Sequence, residues 1–118
     1  MNNRIFISYS KQDAQLAKSV IASMTERQRR PVTVDDPVRL PDIEQDPRRV
    51  IGEALRKADS LLVVWSNQAA KSSWVHYEIG MAEALGLPIR VFIAAGTDAK
   101  LPGNLSNSEI EPGYFTHE

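Results

Sequence analysis

Glu78 is the residue whose surroundings most invite chemistry. At about 100° per residue, Met81, Trp74, Leu85, Ala82, Val75 and Ile79 share one arc of a helix, and Glu78 falls in the middle of it. His76 and Glu83 take the opposite side. A carboxylate within an apolar stripe is costly unless it is paired, protonated or open to a cleft. One reading is a glutamate at the edge of the core, satisfied by an arginine or a backbone amide. The other is a working carboxylate, and the stripe alone leaves both open, because structural networks perturb carboxylates too. Its position, one turn into a helix that starts beside a strand-end loop, favours the second. Trp74, one turn earlier, reads either as core packing or as a wall of the pocket that Glu78 enters.

Other candidates are weaker. Ser8-Tyr9-Ser10-Lys11 places hydroxyls and a cation at a strand end. Turn and cap chemistry needs only serine and aspartate there, whereas a sugar or phosphate ligand would use all of them. Asp35 and Asp36 form an acidic pair after a second strand. A receiver-type phosphoacceptor would need acidic residues after the first and third strands, where Ser8-Tyr9 and Trp65-Ser66 stand, so that chemistry is excluded. A metal site is poorly supported, since no third oxygen ligand lies close in sequence. The basic clusters Arg27, Arg29, Arg30 and Arg48, Arg49, Arg56, Lys57 read as solvated helix ends, and no aromatic interleaving supports nucleic-acid binding. His76 and His117 read as surface residues. No GxGxxG, Walker A, GxSxG or HExxH pattern is present.

These residues need a scaffold, and the chain supplies an alternation. Arg4–Ser8 reads as a first strand, and residues 12–25 as an amphipathic helix with Leu16, Val20, Ile21 and Met24 on one face. Ser10 with Asp13 resembles a loose capping box at its start. Pro31–Asp35 is a second strand, followed by a proline-broken stretch with Pro37, Pro41 and Pro47. Asp46 then Pro47 mark a second helix with Val50, Ile51, Ala54, Leu55 and Ala58 inward. Ser60–Ser66 is continuously apolar between its ends, the pattern of a strand covered on both faces. A third helix runs from Trp74 to Leu85 after a cap at Ser73, and Ile89–Ala94 is the fourth strand. The remainder reads as loop, with a short fifth strand expected at Gly113–Thr116. Such a series predicts a parallel sheet with helices on both faces. Ligands of these sheets bind beyond the carboxyl ends of the strands, where strand order reverses. That places the candidate site in residues 8–13, 35–46 and 66–73 with the start of the third helix, including Ser66.

Composition narrows the classes. The chain of 118 residues suits one domain, and 42% apolar with 25% charged residues is globular composition. The absence of cysteine removes disulfides, thiolate catalysis and Cys-based metal sites, and agrees with a reducing cytosol. A net charge of −1 gives no general attraction to nucleic acid or anionic membrane. The longest apolar run, Leu61–Trp65, is far too short to span a bilayer, and no secretion leader is visible. The expected location is therefore the cytoplasm.

Together these residues resemble a family. Arg4-Ile5-Phe6-Ile7-Ser8-Tyr9-Ser10 is similar to the opening strand and first box of TIR (Toll/interleukin-1 receptor) domains. Ala54–Ser66 resembles the passage from helix to central strand, and Ser72-Ser73-Trp74-Val75-His76-Tyr77-Glu78-Ile79 the Ser-x-Trp-Val-x-x-Glu stretch that opens the third TIR helix. The match covers about residues 4–94. The resemblance implies a flavodoxin-like three-layer α/β fold with a mostly parallel four- to five-stranded sheet, order 2-1-3-4-5. The expected organisation is a single TIR-like domain over residues 1–118, either on its own or as the TIR portion of a longer protein.

The resemblance is to the bacterial NAD-cleaving type. In it the glutamate matched by Glu78 is needed to cleave NAD+ at the nicotinamide–ribose bond. It implies Ser10 and Lys11 on the phosphate or ribose of substrate and Trp74 in the pocket. With the loops named above, Ser8, Tyr9, Asp36 and Ser66 complete the candidate substrate-binding set. NAD+ is then substrate, with no cofactor required. The implied role is antiphage defence, switched on by TIR–TIR self-association, with a fused or partner sensor domain. The loop after the second strand departs from the family in holding Pro37 and Pro41 and no glycine. Two alternatives stand beside this one. They are a non-catalytic TIR–TIR signalling module and a related nucleoside deoxyribosyltransferase-like enzyme.

Overall fold

The apolar alternation of the chain is realised in a computed structural model that describes residues 3–27, 32–35, 47–105 and 109–110. Strands β1 (Asn3–Ser8), β2 (Val32–Asp35), β3 (Ser60–Trp65), β4 (Ile89–Ile93) and β5 (Glu109–Ile110) form one sheet in the order β2-β1-β3-β4-β5, every pair parallel. This is the predicted order. The residues expected to supply the fifth strand, 113–116, lie outside the described residues. The observed β5 falls earlier and pairs with Arg90 and Val91.

Period-two alternation assigns the two faces of the sheet. Ile5, Ile7 and Tyr9 of the β1 segment, with Leu62, Val64 and Phe92, pack against Ala17, Val20 and Met24 of helix α1 (Ala14–Arg27). Phe6, Leu61, Val63, Trp65 and Val91 face the other way. They meet Ile51 and Leu55 of α2 (Pro47–Lys57), Ala69 of α3 (Asn67–Ala70), and Val75, Ile79 and Ala82 of α4 (Ser73–Ala84). Strand β3 is buried along its whole length, as its unbroken apolar run requires. Val50 and Ala54 of the expected inward stripe of α2 are only half-buried. Asp46, its expected cap, lies outside the described residues.

Helix ends depart from expectation in instructive ways. A single 3-10 turn (Lys11–Asp13) precedes α1, and the Ser10 hydroxyl accepts from the Gln12 amide at 3.3 Å. Asp13 accepts from Ser66, so the capping box is not the bond that side chain makes. The cap of α4 is Ser72, one residue before the predicted Ser73, with its hydroxyl accepting from Val75 N at 3.2 Å. The four-residue α3 is too short to leave a periodic signal in the sequence; Ser66 caps it through Ala69 N at 2.9 Å. At the far end of α4 the Gly86 and Leu87 amides donate to Glu83 and Ala82 carbonyls. This is a Schellman closure, which needs the left-handed φ of 72° that glycine adopts freely.

The cap makes a clean prediction. Ser72→Ala leaves the Val75 amide without its side-chain partner and lowers stability by about 1 kcal/mol in urea unfolding, whereas Ser73→Ala changes it by less than about 0.5 kcal/mol. Equal effects at the two positions would overturn the assignment.

One ion pair sets the edge of the sheet. Arg4 donates from Nε to Asp35 Oδ2 at 2.8 Å and from its terminal nitrogen to Oδ1 at 3.3 Å, joining the start of β1 to the end of β2. The hydrogen bond with Asp35, and then its charge, raise the guanidinium pKa above its already high value. Asp35, read in the sequence as half of an acidic pair, is therefore committed to the sheet. Its neighbour Asp36 lies outside the described residues.

Candidate functional site

In the order β2-β1-β3-β4-β5, the chain leaves β1 toward one edge and β3 toward the other. The gap between the carboxyl ends of β1 and β3 is therefore the place where strand order reverses. Ser8 closes β1 and pairs in register with Val63. Alternation puts Ser8 on the same face as Phe6, toward α4. There its hydroxyl donates to Glu78 Oε1 at 2.6 Å. Ser8 is fully buried and Glu78 is 4% exposed. The carboxylate that interrupted the apolar stripe is thus held at the end of the central strands, against the sheet, among Val75, Ile79 and Ala82.

The remaining predicted residues do not all gather there. Tyr9, the next residue along, points to the opposite face and is buried in the α1-side core, so it does not share a face with Glu78. Ser10 is buried as a cap, and Lys11 is exposed beside it. Ser66 donates to Asp13 Oδ2 at 2.5 Å while capping α3. It serves as a tie between two strand-end loops. Trp74 is 43% exposed and packs its edge on Tyr77, with ring centres 5.6 Å apart. The core-packing reading of Trp74 is therefore set aside: on the first turn of α4 its indole lies at the protein surface.

Residues that the sequence did not single out hold this rim together. Asn67 Oδ1 accepts from the amides of Asp98 and Ala99 at 3.0 and 2.9 Å, and its Nδ2 donates to Gly96 O at 3.4 Å. Trp65 Nε1 donates to Ala99 O at 3.0 Å. With Asp13–Ser66, these bonds link the loops after β1, β3 and β4. The only signal for Asp13 was its spacing from Ser10, which pointed to a cap. Asn67 had none, because its partners are backbone amides about 30 residues away. Among the described residues, no group of three or more acidic or histidine side chains could hold a metal ion. Among the same residues, no helix is long and apolar enough to cross a membrane.

The parallel sheet with its flanking helices has a counterpart in known proteins. A family profile described as "TIR domain" matches residues 5–115. The chain belongs to the TIR domain family. Its structure is similar to that of the TIR domain of the Toll-related receptor TRR-2 from Hydra magnipapillata, with a TM-score of 0.65 and 14% identity over 90% of this chain and 82% of that one. It is also similar to the TIR domains of the activated Roq1 resistosome, which directly recognises the pathogen effector XopQ. There the TM-score is 0.58 at 14% identity, over 78% of this chain and 57% of that one. At that identity the likeness is one of fold. No curated protein matches the chain. In this TIR domain, the matched segment contains Ser8, Ser66, Trp74 and Glu78.

Proposed function

We propose that this TIR domain cleaves NAD+ at the nicotinamide–ribose bond, as a glycohydrolase or an ADP-ribose cyclase, with Glu78 as the catalytic carboxylate. The observation that carries the reading is the placement of Glu78: a carboxylate fixed by Ser8 at the strand ends where the sheet's order reverses. The chemistry suits one carboxylate. The bond between ribose C1′ and the nicotinamide nitrogen breaks with its electron pair going to nicotinamide, whose positive charge is thereby neutralised. The ribose is left as an oxocarbenium-like centre, which a nearby carboxylate stabilises. Water then adds to C1′ and loses a proton, giving ADP-ribose. Attack by a ring nitrogen of the adenine gives the cyclic product.

In this reading NAD+ is the substrate and no cofactor takes part. Ser10, Lys11, Ser66, Trp74 and Asp36 are the proposed substrate contacts, of which Lys11 and Trp74 are exposed at the surface. Activity in the cytoplasm of a bacterium under phage attack, switched on by self-association and by a fused or partner sensor, is the setting we propose. The Roq1 TIR domains, which belong to an assembled resistosome, support the self-association component.

A second reading has its own support. Glu78 is almost wholly buried and already engaged, as a structural glutamate would be, while Trp74 is offered to solvent. That arrangement suits a TIR domain that works through TIR–TIR contact without turnover. The test is incubation of concentrated and dilute protein with NAD+ and, separately, with purine and pyrimidine nucleosides, following released base by chromatography. Nicotinamide release that rises more than in proportion to protein concentration is the expected result. No release at any concentration leaves the contact module. Turnover of nucleosides but not NAD+ indicates deoxyribosyltransferase-like chemistry.

A further inference from the structure

Ser8 reads from the sequence as a hydroxyl for the substrate, yet its placement fits another task. It is fully buried on the central strands of the sheet, and Glu78, on the helix packed over it, is 4% exposed. A serine hydroxyl carries one proton, and here that proton goes to Glu78 Oε1 at 2.6 Å. The hydroxyl is the donor in this bond and the carboxylate oxygen the acceptor. The serine itself cannot drift, because it is paired with Val63 in the middle of the sheet. Glu78 has the opposite character, a side chain with three rotatable bonds on the first turns of a helix. Such a side chain has several rotamers open to it in solvent, and the bond from Ser8 helps to select one.

We infer that Ser8 is a positioning residue: it locks the rotamer of Glu78 from the sheet side and does not touch the substrate. The inference rests on the reading of Glu78 as the carboxylate that faces the ribose. A rigid strand supplies the donor and a helix supplies the carboxylate, the arrangement that holds a catalytic group within a fraction of an ångström. Because misplacement acts on the chemical step, loss of the hydroxyl is felt in kcat rather than in the binding of NAD+.

The experiment is steady-state nicotinamide release from NAD+ by concentrated wild-type protein and by Ser8→Ala, Ser8→Thr, Ser8→Cys, Glu78→Gln and Ser8→Ala/Glu78→Gln, each checked for folding by thermal melting. Ser8→Ala is expected to lose about 10- to 100-fold in kcat with KM within about threefold of wild type. Ser8→Thr, which keeps a hydroxyl, recovers most of the loss. Ser8→Cys keeps the volume with a poor donor and falls between the two, which preserves the test if the alanine variant does not fold. The double variant is no slower than Glu78→Gln alone, since the two side chains act through one group. A raised KM with kcat preserved in Ser8→Ala makes Ser8 a substrate ligand and overturns the inference, as does an additive loss in the double variant. Wild-type protein that releases no nicotinamide at any concentration removes the reaction itself, and the positioning role with it. The wild-type control separates that outcome from the other two.

Discussion

Glu78→Gln abolishes nicotinamide release while the protein stays folded. The expected fall in kcat is about 1000-fold or more, which corresponds to about 4 kcal/mol of lost transition-state stabilisation. Glutamine has nearly the same shape, and its carbonyl oxygen still accepts from Ser8. What disappears is the negative charge opposite the forming oxocarbenium centre. The folded state loses little, because removing a buried charge also removes its desolvation penalty. Unfolding in urea is expected to shift by less than about 1.5 kcal/mol. Glu78→Ala is the harsher change. It strands the fully buried Ser8 hydroxyl and empties the side-chain volume beside Val75 and Ile79, costing about 2 kcal/mol or more. The glutamine variant is therefore the decisive one. Activity within about tenfold of wild type in folded Glu78→Gln protein would sink the catalytic assignment.

Trp65→Ala is expected to lower the stability of the fold by about 3–5 kcal/mol. The indole is 1% exposed at the end of β3 and lies in the core under α2, α3 and α4. The imidazole of His76 meets it edge-on at 5.9 Å, and Trp65 Nε1 donates to Ala99 O. Truncating a buried tryptophan costs about 3–5 kcal/mol, comparable with the lower part of the ~5–15 kcal/mol that holds a domain of this size together. Trp65→Phe keeps much of the apolar volume and loses only the donor to Ala99, for about 1–2 kcal/mol. Urea titration followed by circular dichroism measures both. Fluorescence gives an independent check, because the second indole, Trp74, is at the surface. Trp74→Phe leaves blue-shifted emission from Trp65, and Trp65→Phe leaves the red-shifted emission of Trp74. A Trp65→Ala variant within about 1 kcal/mol of wild type would contradict its place in the core.

The sheet was legible because its signals are local. Continuous burial of Ser60–Trp65 and the start of α2 at Pro47 follow from the composition of short windows, and helix–strand alternation leaves few topologies. Glu78 was legible because a charge breaks a stripe. Partners were less so. Nothing near Glu78 in sequence announces that its donor is Ser8, 70 residues earlier. The same distance problem hid the Arg4–Asp35 pair and the ties made by Asp13 and Asn67. Trp74 misled for a different reason. Its helical phase lies beside the buried residues, but α4 buries only Val75, Glu78, Ile79 and Ala82, so the stripe is narrower than the apolar arc. Tyr9 lies on the α1 side because one step along a strand reverses the face.

Because the carboxylate rides α4 and its donor rides β1, the pair is a product of tertiary closure and of nothing smaller. A partly opened molecule in which α4 has lifted off the sheet keeps its strands paired yet has no acid–hydroxyl couple at all. The free energy of that local opening, measurable as amide hydrogen exchange along residues 73–84, therefore sets an upper limit on how persistently the couple exists. A binding event that presses α4 down would lengthen its lifetime without touching either side chain.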